Sequence, residues 1–359
     1  MKVVLLVLDA QPHRHVSTEV TPVLAGLAAA GGRAPSGGRA VLTSATYPNH
    51  ASFVTGTDAV GHGLYANHVV RDGRVRRAYD VGPSAPTLFD ACRDAGRTAV
   101  AVFGDHHLVP VMGAGSAASH WPQDGALPAG RRLDDYGYLH DAETIVPLCA
   151  AAAAAAPLDL LVSQLNGPDT AAHLHGPDSA DAVAIYTQTD GFVGELVEAL
   201  QPAWNDTVLL VVSDHDQTTV SDDEPIDLQA AARAAGVEAT VVLEGDGAVV
   251  VGDDRLQGSW LRGVDGLGGT EELAPGLRFV SAEPGRWFAP AGAEVELKGV
   301  HGGLATRTQV AVVAGGHPAV PRLASSLARR VPEAPDWAVT IAELLDLDLP
   351  TATGQSLLA

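Results

Sequence analysis

A doubly wound α/β fold on a largely parallel sheet is what this chain of 359 residues predicts. Three observations carry that reading. Short apolar runs alternate with alanine-rich stretches of helical periodicity, the β/α order of parallel-sheet proteins. Residues 3–8 and 208–212 are unbroken apolar runs, and 158–162 is apolar apart from Asp159, as expected of strands buried on both faces. Chemistry-bearing polar residues follow where such runs stop, and that edge is where open α/β sheets bind ligands.

Each element follows from local pattern. Residues 3–8 form the first strand, ended by Asp9. Residues 18–30 predict a helix, with Ser17 or Thr18 near its N-cap and Gly31-Gly32 stopping it. Residues 69–79 read as a hairpin around Asp72-Gly73. Residues 86–95, then Gly96 and 98–103, make a helix–turn–strand unit. The alanine run 150–156 closes a helix before Pro157. Residues 179–200 carry Val183, Tyr186, Val193 and Leu196 at helical spacing. A strand over 309–314 and a helix over 337–345 close the chain. Residues 104–140 and 216–300 are less regular and richer in Gly, Pro and Asp. They read as insertions in a single domain spanning residues 1–359, shaping a substrate site.

Composition narrows the partners. Aspartate and glutamate outnumber lysine and arginine by 43 to 22, a formal charge of −21, which excludes a broad basic face for nucleic acid. Lys2 and Lys298 are the only lysines. No run reaches the roughly 18 apolar residues of a membrane span. The first apolar run is six residues long and meets Asp9 with no small-residue cleavage site, so it reads as a strand rather than a signal peptide. A cytoplasmic protein is expected. Cys92 and Cys149 lack metal-site spacing and read as buried thiols.

The polar strand ends converge on one chemistry. Asp9 ends the first strand, and Asp214-His215 follow residues 208–212. Asp169-x-x-x-His173 puts two side chains on one face of a helical turn. His301 lies in a Gly-Val-His-Gly-Gly segment before the last strand. Three aspartates and three histidines form a mixed N/O donor set suited to zinc or manganese, whereas an all-carboxylate set would favour magnesium or calcium.

The segment Thr43-Ser-Ala-Thr46-Tyr-Pro-Asn49-His50 runs into Ser52-Phe-Val-Thr-Gly56 and Gly61-His-Gly63-Leu-Tyr-Ala-Asn67. Here the sequence resembles the type I phosphodiesterase/nucleotide pyrophosphatase family of the alkaline phosphatase superfamily. The resemblance extends to Asn166-Gly-Pro-Asp169-Thr-Ala-Ala-His173, to Ser213-Asp214-His215, to His301-Gly302 and to the closing Gly354-Gln-Ser-Leu-Leu. It implies an alkaline-phosphatase-like fold, with a largely parallel sheet flanked by helices on both faces and with inserted cap segments. It also implies two divalent cations, zinc or alternatively manganese. Asp9, Thr46, Asp214 and His215 would hold one, and Asp169, His173 and His301 the other. Thr46 would be the nucleophile, and Asn49 would donate a hydrogen bond to a phosphoryl oxygen.

The implied activity is hydrolysis of phosphodiester or pyrophosphate bonds in small, nucleotide-like phosphorylated metabolites, with a covalent threonine intermediate. Lys298 and Tyr47 are the candidate substrate contacts, and Trp121, Tyr136 and Tyr138 either stack on a base or pack. Asp216 and Gln217 stand where the family usually has Gly-Met, as support for the ligands or as a solvated loop. Two alternatives use the same metal site: a phosphomonoesterase, and a phosphonoacetate-type hydrolase. The latter is disfavoured because related enzymes use a lysine pair. A binding protein without turnover is the remaining class, and a pure binding site needs neither Thr46 nor Asn49.

Overall fold

The computed structural model describes residues 1–221, 223–252, 258–293 and 296–359. The strand Lys2–Leu8 is its spine, paired in parallel with Leu160–Leu165 on one side and Thr207–Val212 on the other. Ala99–Phe103 and then Ser119–Trp121 extend the sheet in parallel. At the other edge Ala311–Ala314 runs antiparallel and carries Gly32–Arg33 outside it, completing a seven-stranded sheet.

Alternation along the first strand feeds two cores. Val3, Leu5 and Val7 pack with Phe53, Phe89, Trp337 and Ile341 on one face. Val4, Leu6 and Leu8 pack with Leu24, Ile145, Leu148 and Leu196 on the other. Helices Thr46–Thr55 and Ala334–Leu345 cover the first face, while Pro22–Ala30, Asp141–Ala153 and Ala180–Leu200 cover the second. A sheet buried on both sides is what continuous apolar strands require.

Several boundaries move for physical reasons. The helix expected over 18–30 begins at Pro22, because proline suits a first helical position and disfavours helical geometry in Thr21 before it. Strand Leu160–Leu165 runs beyond its apolar stretch into Ser163 and Gln164. The helix Asp141–Ala153 stops inside the alanine run. The strand expected over 309–314 is split: Thr308–Gln309 pairs with Gly38–Arg39, and Ala311–Ala314 joins the main sheet. The hairpin at Asp72-Gly73 forms as expected, with both residues at positive φ.

The two irregular segments hold more order than their composition suggests. Residues 104–140 supply the edge strand Ser119–Trp121. Within 216–300, strands Ala239–Glu244, Gly247–Gly252, Leu277–Ala282 and Leu267–Ala274 form an antiparallel sheet in that spatial order. One face of it packs on Ile226, Leu261 and Phe288, while Val242 and Val249 join the main core. Residues 222, 253–257 and 294–295 of the expected insertion lie outside the described residues. Among the described residues no helix is long and apolar enough to cross a membrane.

Candidate active site

Strand register brings the polar ends together. Leu8 pairs with Leu165 and Val7 with Val212, so Asp9, the turn at Asn166 and the segment Ser213–His215 emerge at one edge of the sheet. Asp214 Oδ1 accepts from the main-chain N–H of Ala10 at 3.0 Å, which locks the two strand ends. His215 Nε2 lies 3.2 Å from Asp214 Oδ2 and 3.7 Å from Asp9 Oδ1.

The next strand delivers the second group. Helix Gly167–His175 starts with Pro168 in its first turn and carries Asp169 and His173 one turn apart. His173 Nε2 is 3.4 Å from Asp169 Oδ1, and His301 Nε2 approaches the same oxygen at 3.9 Å. The rings of His215 and His301 stack 3.9 Å apart, so the two groups are contiguous.

One pattern unites the three imidazoles. His173 Nδ1 donates to the carbonyl of Gly299 at 2.8 Å, His215 Nδ1 to that of Asp216 at 3.2 Å, and His301 Nδ1 to that of Ser44 at 3.3 Å. A main-chain acceptor on Nδ1 leaves the Nε2 lone pair free, and all three Nε2 atoms face carboxylates. Burial lowers the pKa of His215 and His301 well below the ordinary value, keeping them neutral. Burial also raises Asp9 well above its ordinary value, with Asp214 and Asp169 nearby adding to the shift. Burial pushes Asp214 up to about 7. Asp9 Oδ1 and Asp214 Oδ2 are buried without a hydrogen-bond partner among the described residues. Anionic oxygens left unpaired beside imidazole lone pairs are costly unless a cation meets them, so this donor set fits divalent metal ions. Ligand atoms of Asp169, His215 and His301 lie within 4.8 Å of one another, as do those of Asp9, His50 and Asp214. His215 thus borders both groups. His50 donates Nδ1–H to the Thr46 carbonyl at 2.8 Å, so that nitrogen is not a free ligand.

Thr46 begins the helix Thr46–Thr55, and its Oγ1 is 3.3 Å from His215 Nε2. Asn49 is used differently from the expectation. Its Nδ2 donates to the carbonyls of Thr43 at 3.3 Å and Ala45 at 2.9 Å, while Oδ1 accepts from Val41 N–H. Both amide hydrogens therefore brace the turn before Thr46 and leave none for a phosphoryl oxygen. Asn67, quoted above only as part of the motif, is the freer amide. Its Oδ1 accepts from Tyr47 N–H at 3.0 Å, and its Nδ2 has no partner among the described residues.

The expected substrate contacts divide. The Tyr47 hydroxyl lies 3.4 Å from His107 Nδ1, beside the cluster. Lys298 does not join it: its side chain is exposed and lines a surface pocket with Asp223, Glu224 and Trp287. Only its main chain serves the site, its N–H donating to the His173 carbonyl at 2.7 Å. Tyr136 meets His173 edge-on at 5.7 Å, whereas Trp121 packs into a core. The cap sheet buttresses His301. Asp246 N–H donates to the His301 carbonyl at 3.2 Å, and Asp246 Oδ1 accepts from Gly303 N–H at 2.6 Å. At Gly302 φ is +119°, and a Cβ there would lie 1.9 Å from the Glu244 carbonyl oxygen, so only glycine fits this approach.

A family model for type I phosphodiesterase/nucleotide pyrophosphatase matches residues 3–262, well over half of the chain. The chain belongs to this family. Among curated proteins, human ectonucleotide pyrophosphatase/phosphodiesterase family member 5 is 25% identical over 194 residues, 52% of this chain and 39% of that protein's length. Murine ectonucleotide pyrophosphatase/phosphodiesterase 5 superposes with a TM-score of 0.76 at 18% identity, covering 99% of this chain and 98% of that one. An inactive form of the same murine protein, in complex with AMP, gives 0.76 at 17% identity, covering 99% and 97%. Phosphonoacetate hydrolase from Sinorhizobium meliloti 1021, in complex with phosphonoacetate, gives 0.72 at 16%, covering 96% of each chain. The fold is therefore alkaline-phosphatase-like.

In this member of the type I phosphodiesterase/nucleotide pyrophosphatase family, two glutamines and an arginine support aspartates at the site. Gln217 Nε2 donates to Asp169 Oδ1 at 2.6 Å. Asp216 is pinned by Arg14, whose Nη1 donates to both carboxylate oxygens at 2.8 and 2.6 Å. These residues are no solvated loop. Gln164 plays the matching part for Asp9, donating from Nε2 to Oδ2 at 2.8 Å. A polar residue inside an otherwise apolar strand was the signal that could have found it.

Proposed function

We propose that the protein hydrolyses phosphodiester or pyrophosphate bonds in small, nucleotide-like phosphorylated metabolites, using two divalent cations and Thr46 as nucleophile. The observation that carries this reading is the common orientation of His173, His215 and His301, Nδ1 on a main-chain carbonyl and Nε2 toward aspartate. Asp9, Asp214 and His215 would hold one ion beside Thr46, and Asp169, His173 and His301 the other. Zinc suits these donors, with manganese the alternative. Bound there, the ions supply Lewis-acid charge for the phosphoryl oxygens and make the threonine hydroxyl more acidic.

The chain's own residues do the rest. Thr46 Oγ1 attacks phosphorus, its proton passing to solvent. The Oγ–P bond forms as the bond from phosphorus to the leaving oxygen breaks, and that oxygen keeps the electron pair. Water then displaces phosphorus from Thr46 and restores the hydroxyl. Thr46 opens a ten-residue helix, whose N-terminal dipole favours an anion. Asn67 Nδ2, rather than Asn49, supplies the amide donor to a phosphoryl oxygen. The AMP complex of the murine relative supports a nucleotide-like substrate.

The phosphonoacetate-type alternative finds no support in the lysines. Lys2 bonds the Ala152 carbonyl at the far end of the first strand, roughly 20 Å from its catalytic edge at about 3.3 Å per residue. Lys298 is exposed. The deciding assay is hydrolysis of bis-p-nitrophenyl phosphate, p-nitrophenyl phosphate and phosphonoacetate with zinc or manganese. Preference for the diester is expected, and failure to cleave it would overturn the reading.

A further inference from the structure

A third donor cluster lies beside the two described above. Strand Ala99–Phe103 ends at the same edge of the sheet and leads into Gly104, Asp105, His106 and His107. One ligand atom from each of Asp105, His106 and His107 lies within 4.8 Å of the others. His107 Nδ1 is 3.2 Å and His106 Nδ1 4.0 Å from the same oxygen, Asp105 Oδ1. Asp105 is only 2% exposed.

An ordinary hydrogen-bond network accounts for part of this geometry but not all of it. Asp105 Oδ1 accepts from the His107 main-chain N–H at 2.8 Å, and His107 Nδ1 can share that oxygen. His106 Nδ1 is different. It is buried, has no hydrogen-bond partner among the described residues, and stands beyond hydrogen-bond reach of Asp105 Oδ1. A cation among the three atoms would satisfy both imidazoles and the carboxylate together. Three N/O ligands with a fourth position open form the pattern of a working metal site rather than a closed structural one.

Position ties the cluster to the substrate. Gln164 Oε1 accepts from the N–H groups of Gly104 and Asp105 at 3.1 and 3.0 Å, while its Nε2 holds Asp9. One carboxamide therefore separates the two sites. Tyr47, next to Thr46, reaches His107 Nδ1 with its hydroxyl. Tyr79 stacks on the His107 ring at 3.9 Å, fixing its plane. Neither lysine reaches this region, and Arg14 is committed to Asp178 and Asp216. In this acidic chain, a second anionic group on the substrate would meet none of these three cations.

We propose that Asp105, His106 and His107 bind a third divalent transition-metal ion, which takes an oxyanion of the substrate beyond the scissile phosphorus, such as the second phosphate of a pyrophosphate. The substrate part rests on the hydrolase reading above; the ion-binding part does not.

The test is zinc itself. Chelator-stripped protein is dialysed against buffered zinc and the bound metal counted per chain for wild type, D105N and H106A/H107A. Three ions in wild type and one fewer in each variant are expected. An equal count in wild type and both variants overturns the site. Zinc-edge anomalous diffraction of the wild-type protein needs no variant to fold: a peak among the three side chains supports the site, and peaks elsewhere with none here overturn it. D169N separates the two readings, because its loss of an ion reports on the site of Asp169, not on Asp105. For the substrate part, D105N should raise the KM for a dinucleotide pyrophosphate at least tenfold more than that for bis-p-nitrophenyl phosphate. Equal shifts would overturn that part.

Discussion

Gln217 holds Asp169: its Nε2 donates a 2.6 Å hydrogen bond to Oδ1, the oxygen that His173 and His301 also face. A carboxamide fixed there orients the carboxylate before any cation arrives. Removing such support typically costs 10–100-fold in metal affinity or activity. Gln217→Met should therefore weaken zinc binding at one site by about tenfold or more. Zinc titration against a chelating indicator checks this, and unchanged affinity would show the bond to be incidental.

Thr46→Ala should lower kcat/KM for a simple phosphodiester by about a thousandfold or more, as removal of an attacking group does. Thr46→Ser should keep part of the activity, because the hydroxyl and its helix position remain. A chelator should abolish turnover and added zinc restore it. Steady-state kinetics decides, and full activity in Thr46→Ala would sink the covalent mechanism.

Asn49 and Asn67 separate stability from catalysis. Asn49 bonds three main-chain groups of the turn before Thr46, so Asn49→Ala should lower the melting temperature. Asn67→Ala should lower kcat by about 10²-fold or more, as loss of an oxyanion donor does, with a smaller effect on melting. Thermal denaturation beside kinetics tells the two apart. The reverse assignment would restore Asn49 as the phosphoryl contact.

Glu244 makes stability depend on pH. It is buried, accepts from Asn67 and His68 N–H, and burial raises its pKa from the ordinary 4.5 to about 8. Between those values the folded chain keeps a proton that the unfolded chain releases, so raising pH draws the equilibrium toward unfolding. Wild type should lose stability relative to Glu244→Gln from about pH 4.5 to about 8, with little further change above. Denaturant titrations across that range measure the difference. A flat difference would mean that Glu244 is charged in the fold.

Much was legible because strand ends and short motifs are local. Asp9, Asp214 and His215 follow buried strands directly, and the spacing of Asp169 and His173 matches one helical turn, so their convergence needed only the parallel-sheet rule. Local reading failed where a side chain's partner could not be read from spacing. Asn49 was expected to face the substrate, yet its amide is taken by carbonyls a few residues away, and Asn67 holds the open donor. Lys298 is near His301 in sequence, but its side chain leaves on the solvent side. The cap sheet was missed because its strands lie within a stretch rich in Gly, Pro and Asp, although residues 241–243 and 248–251 are apolar runs around Glu244-Gly-Asp-Gly247.

By itself, then, the sequence determined the parallel α/β frame and the set of aspartates and histidines at its edge. Those follow from burial and periodicity, which are properties of neighbouring residues. Only the tertiary structure decided which nitrogen of each histidine faces the cluster, which asparagine is free, and which glutamine steadies which aspartate. These are matters of hydrogen-bond partnership, and the partners can lie far apart in sequence, as His301 and Ser44 do at a separation of 257 residues.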